Sequence, residues 1–533
     1  MRIGTPLKHH REEVPFDAIV VGSGIGGLTA AAILAREAGK RVLVLERHYT
    51  AGGFTHVFHR PGFEWDVGVH YIGDVHRPKS ALRRLFDYLS CGRLAWAPMD
   101  DVYDRVIIGG RRYDFIAGRE AFRARMHGYF PAEAAGIDAY LDALDACARA
   151  SAGYFAEKAL PGPLAFVAGG LSRRGFMKHA SRTTRAVLEG CTTDPELVGV
   201  LTAQYGDYGL PPGRSSFGMH ATVARHYLGG AAYPVGGSSS IAASILPTIE
   251  RAGGKALVDA EVEEIQVEKG AAVGVRVAGG RTFSAPIVIS DAGIAATFER
   301  LVPDSTPGRR EYLAMVARVG PSAAHACLYV GLDGSASELG FTTTNLWVHP
   351  SFDHDANVAA YEADEQAPLP MVYISFPSAK DPDFERRHPG RSTIEVVSLA
   401  PYARFAAWAD RRWRRRGDDY ERLKSRLTER LLDQLYEHVP QSRGRVQYAE
   451  LSTPLSTRHF ANYGHGEIYG LNHTPARFAE RALKPATPIK GLFLTGQDIC
   501  TAGVGGALFG GVITASAVLR RNVLSAVLRP RAT

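Results

Sequence analysis

The sequence predicts an α/β protein of two lobes, in which a discontinuous domain built around a βαβ unit carries an inserted domain with a mixed sheet. Three observations predict this fold. The chain has 533 residues, which is too long for one simple core. A strand, a glycine cluster, a helix and a second strand follow one another near the N-terminus. Similar strand and glycine patterns return in the middle and near the C-terminus, while helices and short hairpins fill the segments between them.

The βαβ unit opens the chain. Residues 16–21 form an apolar run typical of a buried strand, residues 26–37 form an alanine-rich helix that Gly39 ends, and residues 41–45 form a second apolar strand. Glu46 stands at the tip of that second strand, where a carboxylate can accept hydrogen bonds from ribose hydroxyls. The spacing therefore predicts a nucleotide-binding unit.

The turn between the first strand and the helix carries a G-x-G-x-x-G motif. Gly22 permits the tight turn, Gly24 lets a pyrophosphate approach the backbone, and Gly27 lets helix and strand pack closely. Ile25 and Gly26 lie between them, at the positive end of the helix, where free N–H groups bind phosphate. A glycine-rich structural turn is the alternative, but the motif in register with both strands favours a dinucleotide.

Later segments indicate FAD rather than NAD. Gly52 and Gly53 follow the second strand, where a flavoprotein needs backbone close to the pyrophosphate and the ribityl chain. Residues 492–495 form a strand that runs into Gly496, and Asp498 follows two residues later. Its carboxylate could bond ribityl hydroxyls or phosphate-bound water. A plain NAD domain has no use for such a distant closing segment.

A glycine-rich turn precedes the last predicted helix, residues 507–519, and contains Gly503, Val504, Gly505 and Gly506. We expect the N-terminus of this helix to point at the N1–C2=O edge of the flavin. The helix dipole would then stabilise negative charge on the reduced flavin.

Composition and charge exclude several classes of protein. The net charge of +7 is mild for this length, so it favours anionic surfaces or ligands and predicts no nucleic-acid partner. The five cysteines are odd in number and form no C-x-x-C pair, so we expect no disulfide framework and no metal site. Reduced thiols indicate a cytoplasmic protein. Apolar stretches fall short of the ~20 residues that span a bilayer, which leaves peripheral membrane contact open.

These motifs together resemble the phytoene desaturase and carotenoid isomerase group of flavoproteins. Within that group, the stretch through His70, Tyr71 and Gly73 and the Thr-Gly-Gln-Asp of residues 495–498 are most similar to the retinol saturases. The resemblance implies a two-lobed FAD-binding fold of glutathione-reductase type, with an apolar tunnel for a polyene or other lipid. It covers most of the chain and is strongest in residues 22–27, 42–48, 52–53, 63–73 and 491–506.

The resemblance also implies further cofactor contacts. Asp66 and Gly68 would lie near the flavin, although a buried strand with a capping Asp explains them equally well. Val262 would contact adenosine through its backbone, with a core valine as the alternative. Arg47, directly after the ribose-binding acid, is a further candidate.

Four residues are candidates for proton transfer. His70 and Tyr71 are adjacent in the sequence. They are candidates because His titrates near neutrality and Tyr can donate a proton. Tyr463 and His465 lie in a glycine-spaced polar loop, and the family uses an equivalent loop near the substrate. A structural His and ordinary loop chemistry remain the alternatives.

Two segments indicate contact with an anionic membrane surface. Residues 411–416 carry five arginines and one tryptophan at the start of a predicted charged helix, residues 411–438. A solvated helix start is one interpretation, and binding to acidic lipid is the other. The apolar residues 161–171, followed by Arg173 and Arg174, favour the second interpretation or form a lid over the tunnel.

Five segments describe the predicted domains. Residues 1–100, 231–301 and 485–533 form the FAD-binding domain, and residues 101–230 and 302–484 form the substrate domain. A helix is predicted at residues 182–205, within the first of these insertions.

The predicted function is FAD-dependent redox chemistry on a carbon–carbon double bond of an apolar polyene or isoprenoid, such as a retinoid or carotenoid. Saturation and desaturation are both open, as are the substrate, the electron donor and the oligomeric state. No second G-x-G-x-x-G stands in a βαβ context, so direct use of NADPH is not expected. One alternative is a carotenoid cis–trans isomerase that uses reduced FAD. Another is a non-enzymatic lipid carrier, which would require loss of the flavin contacts, and an amine oxidase would show an aromatic pair facing the flavin.

Overall fold

The computed structural model describes residues 2–11, 14–160, 169–170 and 172–528. Its central element is a six-stranded sheet in which every neighbouring pair is parallel. All six strands come from the three segments predicted to form the FAD-binding domain. In spatial order they are Thr5–Pro6, Lys255–Val258, Val42–Leu45, Ala18–Val21, Val288–Ser290 and Leu492–Leu494.

Helices cover one face of this parallel sheet and a small antiparallel sheet covers the other. The helices share one hydrophobic core with the first face, because their apolar side chains are buried almost completely. They are Ile25–Ala38, Ala81–Ser90, Ser239–Glu250 and Gly503–Leu519. The covering strands are Val262–Glu268, Ala271–Val277 and Thr282–Ser284, and helix Arg309–Val319 packs beside them.

The second lobe is built on a seven-stranded mixed sheet. One pair, Asn345–His349 with Val102–Ile108, is parallel, and the remaining pairs are antiparallel. In order the strands are Val446–Ser452, His325–Asp333, Arg391–Leu399, Val372–Ser375, Asn345–His349, Val102–Ile108 and Arg111–Ile116. Helices Arg119–Tyr129, Ala134–Glu157 and Phe217–Tyr227 cover one face, and Asp418–His438 covers the other.

The other strands of the described chain have two to four residues, and its other α-helices have ten or fewer. The remaining strands are Val57–Arg60, Phe63–Asp66, Ile72–Gly73, Trp96–Pro98 and Ala231–Pro234. The remaining α-helices are Arg174–Ala180, Thr184–Leu188, Pro195–Leu201, Ile294–Ala296, His354–Ala363, Pro377–Lys380, Phe384–Arg387, Pro454–Ala461, Pro475–Ala479 and Leu524–Val527. Within the described residues, no helix combines the length and the apolar character needed to cross a membrane.

The hairpin Val57–Asp66 joins the lobes directly. Trp65 Nε1 donates to Val330 O over 3.1 Å, and Asp66 N donates to Glu395 Oε1 over 3.0 Å. This part of the predicted FAD-binding segment therefore packs on the sheet of the substrate domain, just before the chain reaches His70.

Three predicted helices differ from the observed ones. The charged helix begins at Asp418 rather than 411, because Gly417 has a φ of 94° and ends the preceding turn. The predicted helix 182–205 is interrupted, since the Asp194 side chain caps the new helix that starts at Pro195. The last helix begins four residues earlier than predicted, at Gly503, so the glycine-rich turn is its first turn.

Candidate active site

The glycine loop between the first strand and the first helix is closely packed. Gly22 has a φ of 99°, and Gly24 caps the helix without any side-chain hydrogen bond. A Cβ at Gly27 would lie 2.6 Å from Gly22 O, and one at Gly26 would lie 2.5 Å from Gly496 Cα. Only glycine fits these contacts, and the cap residue Gly24 has no side chain that would cover the N-terminus of the helix.

Glu46 holds the loop from the neighbouring strand. Its buried carboxylate accepts hydrogen bonds from Ser23 N at 3.0 Å and Ser23 Oγ at 2.7 Å, while the other oxygen accepts from His48 N at 2.8 Å. Gly52 N donates to Ser23 Oγ over 3.0 Å, and a Cβ at Gly53 would lie 2.9 Å from the glycine loop. The carboxylate keeps acceptor capacity for a ribose hydroxyl, because each oxygen can accept more than one hydrogen bond.

We expect Glu46→Ala to weaken FAD binding about ten- to a hundred-fold, because it removes charge-assisted hydrogen bonds worth roughly 1.5–3 kcal/mol. FAD release on dilution, followed by flavin fluorescence, measures this loss. Glu263→Ala is the matched control, because Glu263 is exposed and pairs with Arg276 on the surface. Equal FAD retention in the two variants would remove Glu46 from the cofactor site.

Asp291 is a site residue that the sequence reasoning missed. It directly follows strand Val288–Ser290. A Cβ at Gly24 would lie 2.5 Å from Asp291 Oδ2, so the carboxyl group lies against the glycine loop. Burial is the main cause that raises the pKa of Asp291 to about 8; hydrogen bonds from the Gly27 and Gly24 backbone oppose it, and the charges of Glu46 and Asp498 assist it. A neutral acid at this position is compatible with a pyrophosphate. The sequence signal that could have identified Asp291 is an acidic residue directly after a strand, the same signal that identified Glu46.

Asp498 binds protein backbone instead of facing the cavity. Its two carboxylate oxygens accept from Leu471 N and Ile294 N, both over 2.9 Å. Arg477 Nη1 lies 3.7 Å from the carboxylate, and both side chains are almost fully buried. The carboxylate thereby joins three chain segments, and its contact with the ribityl chain stays a prediction. Gly496 lies against Asp291 in the same closing segment.

The N-terminus of helix Gly503–Leu519 opens into a large cavity. Gly503, Val504, Gly505 and Gly506 all line it, and no side chain caps the helix. A Cβ at Gly505 would have its nearest neighbour at 3.8 Å, so the space beside this glycine is open. The first turn of the helix is therefore open to the cavity, and its contact with the edge of a flavin stays a prediction.

The cavity has a volume of about 1270 Å³. It is lined from the first turn of helix Gly503–Leu519 to residues beyond its last turn, a helix length of roughly 25 Å. Apolar residues form most of the lining. His70, Tyr71, Asp207, Tyr227 and Tyr469 form its polar part, and Arg520, Arg521 and Asn522 line the end beyond the helix.

His70 reaches the cavity as a neutral imidazole. Burial, followed by the charge of Lys380, lowers the pKa of His70 to about 3. Its Nδ1 lies 2.7 Å from Glu395 Oε2, and burial raises the pKa of Glu395 to about 8. Lys380 Nζ donates to the His70 carbonyl over 3.0 Å and to Ser375 Oγ over 2.7 Å. A neutral imidazole is a poor acid. The geometry therefore favours a positioning role for His70 over the role of proton donor.

Tyr71 belongs to a hydrogen-bonded group of buried acids. Its hydroxyl donates to Asp104 Oδ2 over 2.8 Å, and the same oxygen accepts from Gln204 Nε2 over 2.7 Å. The ring stacks on Tyr227 with centroids 4.3 Å apart. Asp207 also lines the cavity here. Sequence reasoning missed it, because nothing in its neighbourhood along the chain marks it.

Asp66 and Gly68 have different environments. Asp66 is buried and accepts hydrogen bonds from Ser238 N over 2.9 Å and from the Tyr233 hydroxyl. Burial, followed by the charge of Glu395, raises its pKa to about 7. Its side chain therefore caps a buried turn instead of meeting the flavin, whereas Gly68 lines the cavity.

The loop of Tyr463 and His465 lies outside the described lining of the cavity. The Tyr463 hydroxyl accepts from Gln497 Nε2 over 3.2 Å, and its ring stacks on Phe54. His465 is exposed, with its ring 5.2 Å from that of Tyr402. Their catalytic assignment has no support in this geometry. Tyr469, from the same loop, does reach the cavity.

The two remaining predicted contacts lie near the adenosine end. Arg47 Nη1 donates to His459 O over 3.0 Å, and its Nε lies 3.3 Å from Glu261. Val262 is buried at the start of its strand, opposite Val277. Their contacts with FAD stay predictions.

Residues 20–89 match a family model described as an NAD(P)-binding Rossmann-like domain. Along nearly the whole chain, an all-trans-retinol 13,14-reductase of Danio rerio is 38% identical over 534 residues, which cover 95% of this chain and 86% of the relative. The chain belongs to the retinol 13,14-reductase family. The resemblance predicted from the motifs is thereby confirmed, and the protein is an FAD-dependent oxidoreductase.

Other comparisons place this reductase family among its neighbours. A prolycopene isomerase of Arabidopsis thaliana is 26% identical over 532 residues, covering 94% of this chain and 82% of the relative. Among solved structures, a putrescine oxidase bound to putrescine superposes with a TM-score of 0.62 at 15% identity, covering 95% of this chain and all of that one. The structural likeness confirms the predicted two-lobed fold.

Proposed function

We propose that the protein uses FAD to saturate a carbon–carbon double bond of a retinoid or a related polyene. The cavity carries this proposal. It is apolar over most of its length, extends along a helix of roughly 25 Å, and begins at the helix N-terminus that would face the flavin. The relatives named as retinol 13,14-reductases support a polyene alcohol as the substrate.

The residues of the chain divide the chemistry between them. Reduced FAD, when bound, supplies two electrons as a hydride. The apolar lining holds the polyene and excludes water, while the first turn of Gly503–Leu519 stabilises negative charge at the flavin edge. The proton comes from the polar part of the cavity. There the Tyr71 hydroxyl lines the cavity and is held in place by the hydrogen bond that it donates to Asp104.

Anaerobic incubation of the photoreduced holoenzyme with retinoids, carotenoids and unsaturated fatty acids tests the proposal. We expect a retinoid to reoxidise the flavin and to gain two hydrogens, detected by mass. Reoxidation by no polyene or lipid would overturn the proposal.

A cis–trans isomerase is the alternative that the family neighbours favour. The same incubation separates the two functions, because an isomerase equilibrates isomers at constant mass while its flavin stays reduced. A non-enzymatic lipid carrier would do neither, and its purified form would be colourless. The intact glycine loop, Glu46 and the glycines of the last helix all oppose that reading.

We also infer that the protein is cytoplasmic and contacts an anionic membrane surface from its periphery. Arg412, Arg414 and Arg415 are exposed, and Trp413 packs edge-on to Phe460, whose side chain is 41% exposed. An aromatic group surrounded by arginines suits a lipid interface. The predicted apolar segment 161–171 lies almost wholly outside the described residues. The described cavity lining includes none of residues 411–416, so the patch is separate from it.

Replacing Arg412, Arg414 and Arg415 by Ser should weaken sedimentation with anionic vesicles at low salt, because each basic residue near such a surface contributes about 1 kcal/mol. Vesicle binding of the wild type should also fall at high salt. The control replaces Arg310, Arg386 and Arg481 by Ser, three exposed arginines elsewhere on the surface. Equal loss in both variants would indicate a general charge effect, and a wild type that ignores the vesicles would show a merely solvated patch.

A further inference from the structure

The polar part of the cavity contains a carboxyl group with one oxygen that has no protein partner, although the group itself contacts Tyr71. Asp207 ends the short helix Ala203–Asp207 and lines the cavity. Its Oδ2 is buried and has no hydrogen-bond partner within the described part of the chain. Buried polar atoms in native proteins are almost always hydrogen-bonded, so such an oxygen in a binding cavity points to a missing ligand.

The neighbouring polar groups are already engaged. The Tyr71 hydroxyl donates to Asp104, and the Tyr469 hydroxyl donates to Gly206 O over 3.0 Å. Thr222 Oγ1 donates to Gly218 O over 2.8 Å, and His226 Nε2 accepts from Gly73 N over 2.8 Å. In this set of described residues, Asp207 Oδ2 is the polar atom that has no hydrogen-bond partner, so it can take one from a ligand.

The environment of Asp207 favours its neutral form. Burial raises the pKa of Asp207 well above its usual value, the charge of Asp104 raises it further, and Tyr71 opposes both effects. A neutral carboxylic acid has one O–H donor and one carbonyl acceptor. An alcohol has the same pair of functions, so the two groups are complementary, whereas a hydrocarbon or an ether cannot satisfy both.

We propose that Asp207 binds the hydroxyl group of a polyene alcohol and thereby makes the site selective for alcohols. This inference rests on the proposed function. In retinol the 13,14 double bond adjoins the carbon that bears the hydroxyl. A hydroxyl held by Asp207 therefore brings that bond into the part of the cavity that Tyr71 and Gly503–Gly506 also line. Asp207 is then a specificity-determining residue at the flavin end of the cavity.

Equilibrium binding to the oxidised holoenzyme tests the inference without turnover. All-trans-retinol and its methyl ether are titrated while the flavin absorbance is followed, with wild type, Asp207→Leu and Asp207→Asn. We expect the wild type to bind the alcohol roughly ten- to a hundred-fold more tightly than the ether, as one buried hydrogen-bonded pair provides. Asp207→Leu should abolish this preference, and Asp207→Asn should retain part of it.

Thr222→Val is the matched control, because it removes a hydroxyl from the same cavity that is already bonded to Gly218 O. It should keep the wild-type preference. FAD content and the unfolding midpoint establish that each variant is folded, and Asp207→Asn replaces the Leu variant if that one is not. An unchanged alcohol-to-ether ratio in a folded Asp207 variant overturns this inference alone. If the wild type binds neither compound, the proposed function fails as well.

Discussion

A His70→Ala, Tyr71→Phe double variant should keep its FAD and lose about 10²–10⁴ in turnover, the usual contribution of general acid–base catalysis. Both residues line the cavity beside the first turn of the last helix. The structure assigns the larger share to Tyr71, because its hydroxyl is hydrogen-bonded to Asp104. Burial lowers the pKa of His70 to about 3, so its ring is neutral and carries no readily donated proton at neutral pH.

The single variants test this division. Tyr71→Phe should account for most of the loss and should change the solvent deuterium isotope effect on flavin reoxidation. His70→Ala should have the smaller effect. When the wild-type turnover rate is measured between about pH 5 and 8, it should show no rise or fall centred on the usual His pKa. Tyr103→Phe is the control, since it removes a buried tyrosine hydroxyl outside the described cavity lining. Wild-type turnover in the double variant would place the proton donor elsewhere in the cavity.

Asp498→Ala should lower the free energy of unfolding by about 3–5 kcal/mol, because removing one partner of a buried ion pair leaves the other charge uncompensated. The Arg477 guanidinium, 1% exposed, would keep its bonds to backbone carbonyls but lose its carboxylate. Leu471 N and Ile294 N would lose their acceptors at the same time. Denaturant unfolding measures the change.

Denaturation with and without saturating FAD separates the two roles of Asp498. A structural role predicts the same loss of stability in both conditions. A loss that appears only in the presence of FAD would restore the ribityl contact predicted from the sequence. Asp410→Ala is the control, because Asp410 pairs with Arg458 through a carboxylate that is 96% exposed. Its unfolding midpoint should stay close to that of the wild type.

Local patterns in the chain were sufficient to predict the cofactor half of the site. The glycine loop, Glu46 and the glycines in the first turn of the last helix each belong to a short continuous segment of the chain. Their roles follow from backbone geometry, since a tight turn or a close backbone approach requires glycine wherever it occurs. The resemblance to the retinol saturases rested on the same segments, and the comparisons confirmed the family.

The substrate half of the site depended on contacts between distant segments. Asp207 and Tyr71 are far apart in sequence and meet only because the second lobe packs against residues 57–73. Asp498 is predicted as a cofactor ligand from its motif, and only the tertiary structure shows that its oxygens also accept hydrogen bonds from Leu471 N and Ile294 N, elsewhere in the chain. The sequence gives each residue type, and the residue type determines which bonds a side chain can make. Burial and the groups that the fold brings beside it decide which of those bonds form, and whether His70 or Asp207 is charged.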